Sequence, residues 1–527
     1  MGFPYGRAPL AILILALLSG GGLLLAHVLS ASEARPDLIF ATFTKEHAEA
    51  YKPAIARFEK DNHCKVQLEV VSQRALQGRL QSALQVGADV PDMVELLDGT
   101  MGIFTRGPIE DVGFVDLTER VHTTGLYDKL VTSRFSKWSS RGHIFALPHD
   151  VHPTMLAYRA DLVKELGIDV SKLTTWDEFA RVGREVTKDL NGDGVPDRYM
   201  IDLPADGGDA IRMLLLQRGV RMFDDNGKVT FDTDVTADVI CWYVKQIQGD
   251  QRTAFPCGWG QNLARSVNEG LCLFYICPDW RTRQFQVDIP QVKGKLGLMP
   301  LPAWEEGGRR TSCWGGTGLA FTKECQRKGN FELAWKLAMY LYYDPDQLGP
   351  RFKDTNILPP LKAAWNKEQL SEPREFYGGL PIGKIYASLA EQVPAEPSSA
   401  YMTIAVGKLS EAFANASLYY REHGENGLRE YTISELKRCA DRVRTSIERN
   451  VFLQTSTSST RDNAARRRTS ASLSLYSGRG LGRGYFDYSE PLEPGKYPLP
   501  RPLPEYRERE AALAPVELDS SNRGAAR

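Results

Sequence analysis

No charge of one sign prevails in this sequence: 65 Lys and Arg stand against 66 Asp and Glu in 527 residues, a formal net of −1. Nucleic acid and acidic lipid therefore meet no whole-molecule field, and any partner is recognised locally. Cysteine is sparse and unpatterned. The eight cysteines include no C-x-x-C pair. Cys272 and Cys277 are spaced too widely for that motif, which excludes a zinc cluster or a disulfide scaffold. The first thiol is Cys64, too far from the apolar N-terminal segment to be lipidated as in a bacterial lipoprotein. Also missing are G-x-S-x-G, H-E-x-x-H, G-x-x-x-x-G-K-S/T and any G-x-G-x-x-G leading into a helix, so the common hydrolase, metalloprotease, P-loop and dinucleotide readings have no anchor.

What is present is ordinary globular protein, 42% hydrophobic and 25% charged, long enough for two or three domains. Residues 8–29 are apolar except Ser19 and His27, with Arg7 before them and Glu33 and Arg35 after. Residues 1–34 are expected to be an export signal or a membrane anchor rather than part of the fold. After Leu453 the texture turns Ser/Thr/Arg-rich and then Pro-rich, with Arg466-Arg467-Arg468 and the stretch Pro491 to Pro504. Residues 454–527 bury too little apolar surface to offset their ordering entropy and are expected to be a disordered tail. Cys241, Cys257, Cys272, Cys277 and Cys313 fall in one region. Export permits some of them to pair; the alternative is buried thiols acting as small hydrophobes.

Between the ends, Leu38-Ile39-Phe40 suits a buried strand, Tyr51, Ile55 and Phe58 recur at helical spacing, and Val66, Leu68 and Val70 alternate as a strand,. Leu76, Leu80 and Leu84 are again helical, and Met93 to Leu97 is a third apolar run. This β-α-β-α-β order predicts a mostly parallel sheet covered by helices, with ligand beyond the carboxyl ends of its strands. Ile144 to Pro148 reads as another strand, and His149-Asp150-Val151-His152-Pro153 as a link between lobes. Thr175-Trp176-Asp177-Glu178 is a capping box opening a helix. Further helices are expected over Asp209 to Gln217, Val235 to Ile247 and Phe331 to Tyr343, and a buried strand over Leu271 to Ile276.

Three groups of residues carry candidate chemistry. His149 and His152 flank Asp150 and offer a base with an orienting carboxylate, or part of a metal set, although Pro148 and Pro153 argue against a helix there. Asp189, Asn191, Asp193, Val195 and Asp197 match the first part of a calcium loop, with Gly194 at position six; the bidentate Glu of position twelve is replaced by Met200,. A metal-free Asx/Gly turn is one reading and calcium the other; an ion bound there would be structural. Trp259, Trp280 and Trp314 adjoin glycine or a carboxylate. Flat rings with polar edges suit the apolar C–H faces and hydroxyl rim of a sugar, whereas a lone tryptophan more commonly fills a core.

The order of these motifs resembles the extracellular solute-binding proteins of bacterial ABC importers, in the family that includes maltose- and glycerol-phosphate-binding proteins. The matching stretches run from about Asp37 to Leu453. They include Ala54-Ile55-Ala56-Arg57-Phe58-Glu59-Lys60, Val90-Pro91-Asp92-Met93-Val94, Gly142 to Pro148 followed by Leu156 to Leu162, Thr174 to Phe179, Asp224 to Val229, Asn356 to Pro360 and the glycine-rich strand at Trp314. The resemblance implies an α/β fold of the type II periplasmic-binding-protein kind, two lobes with ligand in the cleft between them. Lobe 1 would comprise 36–153 plus 317–345, and lobe 2 would comprise 154–316 plus 346–453. Crossings would fall near His152 to Leu156 and near Trp314 to Gly318. It further implies a ligand-binding set of Thr44, Asp98, Asp150, His152, Trp259, Asp279, Trp280, Trp314 and Gly315, with no catalytic residue and no cofactor beyond the calcium above.

On this reading the chain is a periplasmic or otherwise extracytoplasmic monomer, tethered if residues 1–34 are retained. It captures a sugar or similar small polar solute and passes it to permease subunits; nucleic acid is not a partner. The missing lipidation cysteine, the additional cysteines and the tail depart from the family pattern. Two other readings stay open at this point: an exported enzyme using His149, Asp150 or His152, and a membrane-tethered solute sensor.

Overall fold

The computed structural model describes residues 36–86 and 90–450, with four isolated positions (Leu15, Ala16, Ser19 and Gly21) nearer the start. The expected tail, and all but those four positions of the expected signal or anchor, lie outside the described residues. Among the described residues no helix is long and apolar enough to cross a membrane.

The strands follow in chain order as β1 (Leu38–Thr42), β2 (Val66–Val70), β3 (Met93–Leu97), β4 (Ser139–Ser140), β5 (His143–Ile144), β6 (Ala146–Pro148), β7 (Thr154–Arg159), β8 (Tyr199–Asp202), β9 (Ala254–Phe255), β10 (Cys272–Pro278), β11 (Leu296–Pro300) and β12 (Thr317–Phe321). The described residues form two five-stranded sheets, ordered β2-β1-β3-β12-β6 and β11-β7-β10-β8-β9, and the hairpin β4-β5. β1 pairs parallel with β2 and β3, as the alternation of strand and helix predicts. β12 returns antiparallel between β3 and β6. In the second sheet β7 lies antiparallel between β10 and β11, while β8 runs parallel to β10 and β9.

Burial explains these elements. All seven residues of β10 are buried, so a continuous apolar run rather than an alternating one is the expected pattern for a strand covered on both faces. The strand extends past Ile276 to Pro278, which pairs with Thr154 at the sheet's end, where the missing N–H of proline costs no ladder bond. The run read as one strand from Ile144 to Pro148 is instead two. Phe145 donates its N–H to Trp138 O at 2.9 Å, and the chain changes partner there from β4 to β12. The capping box forms as read: Thr175 accepts from Glu178 N–H and the Glu178 carboxylate accepts from the Thr175 N–H, fixing the start of helix Trp176–Val186.

Each sheet has its own core. Leu38, Phe40, Met93, Leu319, Trp335 and Leu341 pack on one face of the first sheet, and Leu76, Leu80, Phe114 and Trp138 on the other. Trp176, Leu214, Ile240, Phe274 and Phe413 pack on the second, with Tyr275, Phe285, Tyr377 and Tyr386 opposite. The chain passes from the first sheet to the second after Pro148, and returns between Pro300 and Thr317. A third passage follows helix Pro345–Thr355, where Leu358 O accepts from Val151 N–H at 3.1 Å and Pro360 O from Val131 N–H at 3.0 Å. Six of the eight cysteines are buried and all are free thiols; Cys257 Sγ and Cys272 Sγ lie 3.5 Å apart.

Candidate functional site

The tryptophans singled out by their loop positions come together. Gly258 and Gly260, at φ of +73° and +63°, shape a turn open only to residues without Cβ strain, and Trp259 between them is 55% exposed. Trp280 sits in the first turn of helix Asp279–Asp288, and Trp314 in the returning passage. The rings of Trp259 and Trp280 are nearly parallel, 15° apart with centroids at 6.2 Å; Trp314 stands edge-on to Trp259, also at 6.2 Å. Trp280 Nε1 donates to Trp314 O at 3.1 Å. Arg281, which sequence reasoning missed, places its guanidinium 4.5, 5.2 and 5.0 Å from the rings of Trp259, Trp280 and Trp314. One of its Nη atoms donates to Ile276 O at 2.6 Å, and its buried Nε has no hydrogen-bond partner. Burial lowers the Arg281 pKa.

Behind this cluster the expected carboxylates are committed to the protein. His152, in the left-handed region at φ +53°, lies between Asp279 (Nδ1 to Oδ1, 2.6 Å) and Asp150 (Nε2 to Oδ2, 3.1 Å). Burial opposes its charge, but the two carboxylates prevail and raise its pKa to about 10. Asp150 also accepts from Thr317 N–H at 2.8 Å and from Arg134 at 3.3 Å. Despite its burial, His152 beside it holds the Asp150 carboxyl well below the usual range. Asp279 accepts from Leu358 N–H at 2.7 Å and Trp280 N–H at 2.8 Å. This clasp therefore touches all three passages between the sheets. Gly315, at φ +96°, passes so near that a Cβ would lie 3.5 Å from both His152 Cδ2 and Trp280 Nε1.

Asp98, just past the end of β3, belongs to a second, largely buried group that no spacing in the sequence marks. Its carboxylate meets Lys137 Nζ at 2.7 Å and Arg212 at 3.2 Å. Arg212 holds Glu396 through two bonds of 2.7 and 2.6 Å, and Lys137 meets Glu396 at 3.0 Å. Two cations and two anions cancel. Both carboxyls are depressed against the desolvation of burial, Asp98 chiefly by Lys137 and Glu396 chiefly by Arg212. Since Asp98 ends a strand of the first sheet and Arg212 lies on helix Gly208–Gln217 of the second core, the group joins the two.

The remaining candidates lie elsewhere. Thr44 caps helix Lys45–Asn62, accepting from His47 N–H at 2.9 Å. His149 is 2% exposed and burial lowers its pKa to about 4, so the His149-Asp150-His152 trio presents no base poised near neutrality to solvent. In the exposed loop, Asp189 accepts from Gly192 and Gly194 N–H, Asn191 from Asp193 N–H, Asp193 from Val195 N–H, and Asp197 from Leu190 and Asn191 N–H. Those are the turns an Asx/Gly sequence makes. A shallow hollow of about 310 Å³ beside Tyr158, Val163 and Ile168 shares no residue with the tryptophan cluster.

The arrangement sets one exposed ring, Trp259, and two half-buried ones, Trp280 and Trp314, beside an unsatisfied donor, while charge holds the two sheets together. Known proteins resemble this chain in sequence and in fold. The chain is similar to the "Arabinooligosaccharide-binding protein" of Halalkalibacterium halodurans, 25% identical over 400 residues covering 74% of this chain and 86% of the relative. It is likewise similar to that of Bacillus subtilis, 26% identical over 395 residues with the same coverage. Its fold matches the sugar-binding protein MalE from Xanthomonas citri with a TM-score of 0.64, at 21% identity over 78% of this chain and 99% of that one. It also matches the GacH receptor of Streptomyces glaucescens at 0.60, with 14% identity over 77% and 98%. These likenesses establish the two-lobed α/β architecture with its cleft. The profile described as "Bacterial extracellular solute-binding protein" matches residues 44–347, and the chain belongs to that family.

Proposed function

We propose that this protein captures a short, neutral oligosaccharide of the arabino-oligosaccharide type outside the cytoplasm and hands it unchanged to the permease subunits of an ABC importer. The observation that carries this reading is the Trp259–Trp280–Trp314 cluster with Arg281 at its centre. Two faces and an edge provide stacking surface for sugar rings, and the unpartnered Arg281 Nε offers a donor to a hydroxyl. The names of the curated relatives support the substrate class.

The lobes we take as 36–153 with 317–345 and 154–316 with 346–453, closing on the ligand as a monomer. On these bounds the three tryptophans belong to the second lobe, and the Asp98–Lys137–Arg212–Glu396 group spans the two. At the Asp189–Asp197 loop we propose structural calcium, supported by the spacing of its oxygens; chelation should then lower the Tm, and an unchanged Tm in EDTA argues for a metal-free turn.

The test is calorimetry and tryptophan fluorescence of the protein against arabino-, xylo-, malto- and galacto-oligosaccharides. Saturable binding of one class, with the sugar recovered intact, is the expected result. No binding to any of them, or recovery of cleaved sugar, overturns the reading.

A further inference from the structure

On the first-sheet side of the Asp150–His152 pair, a polar cluster is sealed inside the protein. Glu95 on β3 is fully buried. Its Oε1 accepts from the Tyr51 hydroxyl at 2.6 Å and from the Tyr342 hydroxyl, and its Oε2 accepts from the Thr42 hydroxyl and meets His47 Nδ1 at 3.0 Å. The His149 ring packs against that of His47, centroids 4.6 Å apart, and edge-on to Tyr342 at 4.9 Å. His47, Glu95 and His149 each offer a ligand atom, and these atoms all lie within 4.8 Å of one another.

A hydrogen-bonded network accounts for Glu95 but not for His149. Its Nδ1 faces Asp150 Oδ2 at 3.4 Å, while its Nε2 is buried without any hydrogen-bond partner. An ionised carboxylate only accepts, so the proton belongs on Nδ1 and Nε2 carries a lone pair directed into the protein. Leaving such an acceptor unsatisfied in the interior is unfavourable. One nitrogen donating to a carboxylate and the other free is how metal-binding histidines are oriented.

We propose that His47, Glu95 and His149 form a buried site for a divalent transition metal, best suited to zinc. Two imidazoles and one carboxylate are a zinc donor set; calcium and magnesium prefer oxygen throughout. The ion takes the place of the hydrogen shared between His47 and Glu95, the His47 proton moving to its other ring nitrogen, so no proton is lost. The nearby Tyr51 and Tyr342 hydroxyls are candidates for the fourth position. The three ligands come from helix Lys45–Asn62, β3 and the first passage between sheets. The ion would thus pin the start of that passage to the first sheet, one residue from the Asp150 that grips His152.

The test uses the full chain purified without metal-chelate resin, and the same chain refolded with Co(II) or Zn(II). Elemental analysis should give about one metal per chain, Co(II) should show the visible bands of a tetrahedral nitrogen/oxygen site, and X-ray absorption should show two imidazoles. His149→Gln should weaken Co(II) binding at least ~10-fold, while a His63→Gln control at an exposed histidine leaves it unchanged. Should His149→Gln fail to fold, the wild-type spectrum and absorption data decide alone. A wild-type chain that retains no stoichiometric metal after refolding, a metal shell without imidazole, or undiminished binding in a folded His149→Gln protein overturns the site. Sugar binding is measured separately, and neither result depends on the other.

Discussion

His152 stands between two acids, its Nδ1 2.6 Å from Asp279 and its Nε2 3.1 Å from Asp150, and so links the first passage between the sheets to the helix that carries Trp280. Its folded pKa of about 10 lies above the ordinary imidazole value of about 6.5,. The stabilisation is therefore complete below the unfolded pKa and is lost as pH rises through the folded one. The difference in Tm between wild type and His152→Gln should be largest near pH 6 and shrink steadily towards pH 10. A difference constant across that range would mean that the imidazolium charge is not what holds the clasp. Replacing a buried cation between two carboxylates should cost about 3–5 kcal/mol at neutral pH.

Arg212 and Glu396 give a second electrostatic prediction. Their two-point contact is largely buried and shared with Lys137 and Asp98. Arg212→Met leaves two carboxylates facing one lysine and should destabilise by about 3–5 kcal/mol, whereas Arg212→Met combined with Glu396→Gln should cost much less than the sum of the two single changes. Urea unfolding of the four proteins in this cycle measures the coupling. Strict additivity would show that the contact contributes nothing beyond its separate members.

Thr175→Ala tests the one local feature that was fully legible in the sequence. It removes the acceptor for Glu178 N–H while leaving the helix sequence intact. The expected cost is about 1 kcal/mol, read from denaturant midpoints, with ligand affinity unchanged. A larger loss, or any loss of affinity, would show that this helix start does more than begin a helix.

Why that box was readable, and the Asp98 group was not, follows from range. Capping, the parallel β1, β2 and β3, and the helices at Gly208–Gln217 and Phe331–Tyr343 depend on residues a few positions apart or on a period, and both survive in a linear string. The tryptophans were found because glycine and carboxylate neighbours mark loop positions. Lys137, Arg212, Arg281 and Glu396 carry no such mark: a charged residue looks solvated until the fold brings a partner more than a hundred residues away, as it does for Arg212 and Asp98. The same blindness affected Asp150 and Asp279. The family resemblance implied them as ligand acceptors; the backbone N–H groups of Thr317 and Leu358, from which they accept, belong to passages whose meeting point no short-range pattern encodes.

Trp259 and Trp176 provide the sharpest separation of binding from stability. Trp176 is buried beside Phe179 and Trp242, with its indole N–H donated to Gln217 at 3.0 Å. Trp176→Ala should cost about 3–5 kcal/mol and leave the affinity of the surviving folded protein unaltered. Trp259 is 55% exposed and packs on Trp280 and Arg281. Trp259→Ala should cost less than about 1 kcal/mol in stability and weaken oligosaccharide binding by about 10- to 100-fold, an aromatic face being worth about 1–3 kcal/mol. Trp259→Phe should recover part of that affinity because it restores a flat face of smaller area. Calorimetry on the three proteins, with Tm measured alongside, distinguishes the outcomes. Undiminished affinity in Trp259→Ala would mean that sugar is held elsewhere, with the exposed ring serving only to cover Arg281.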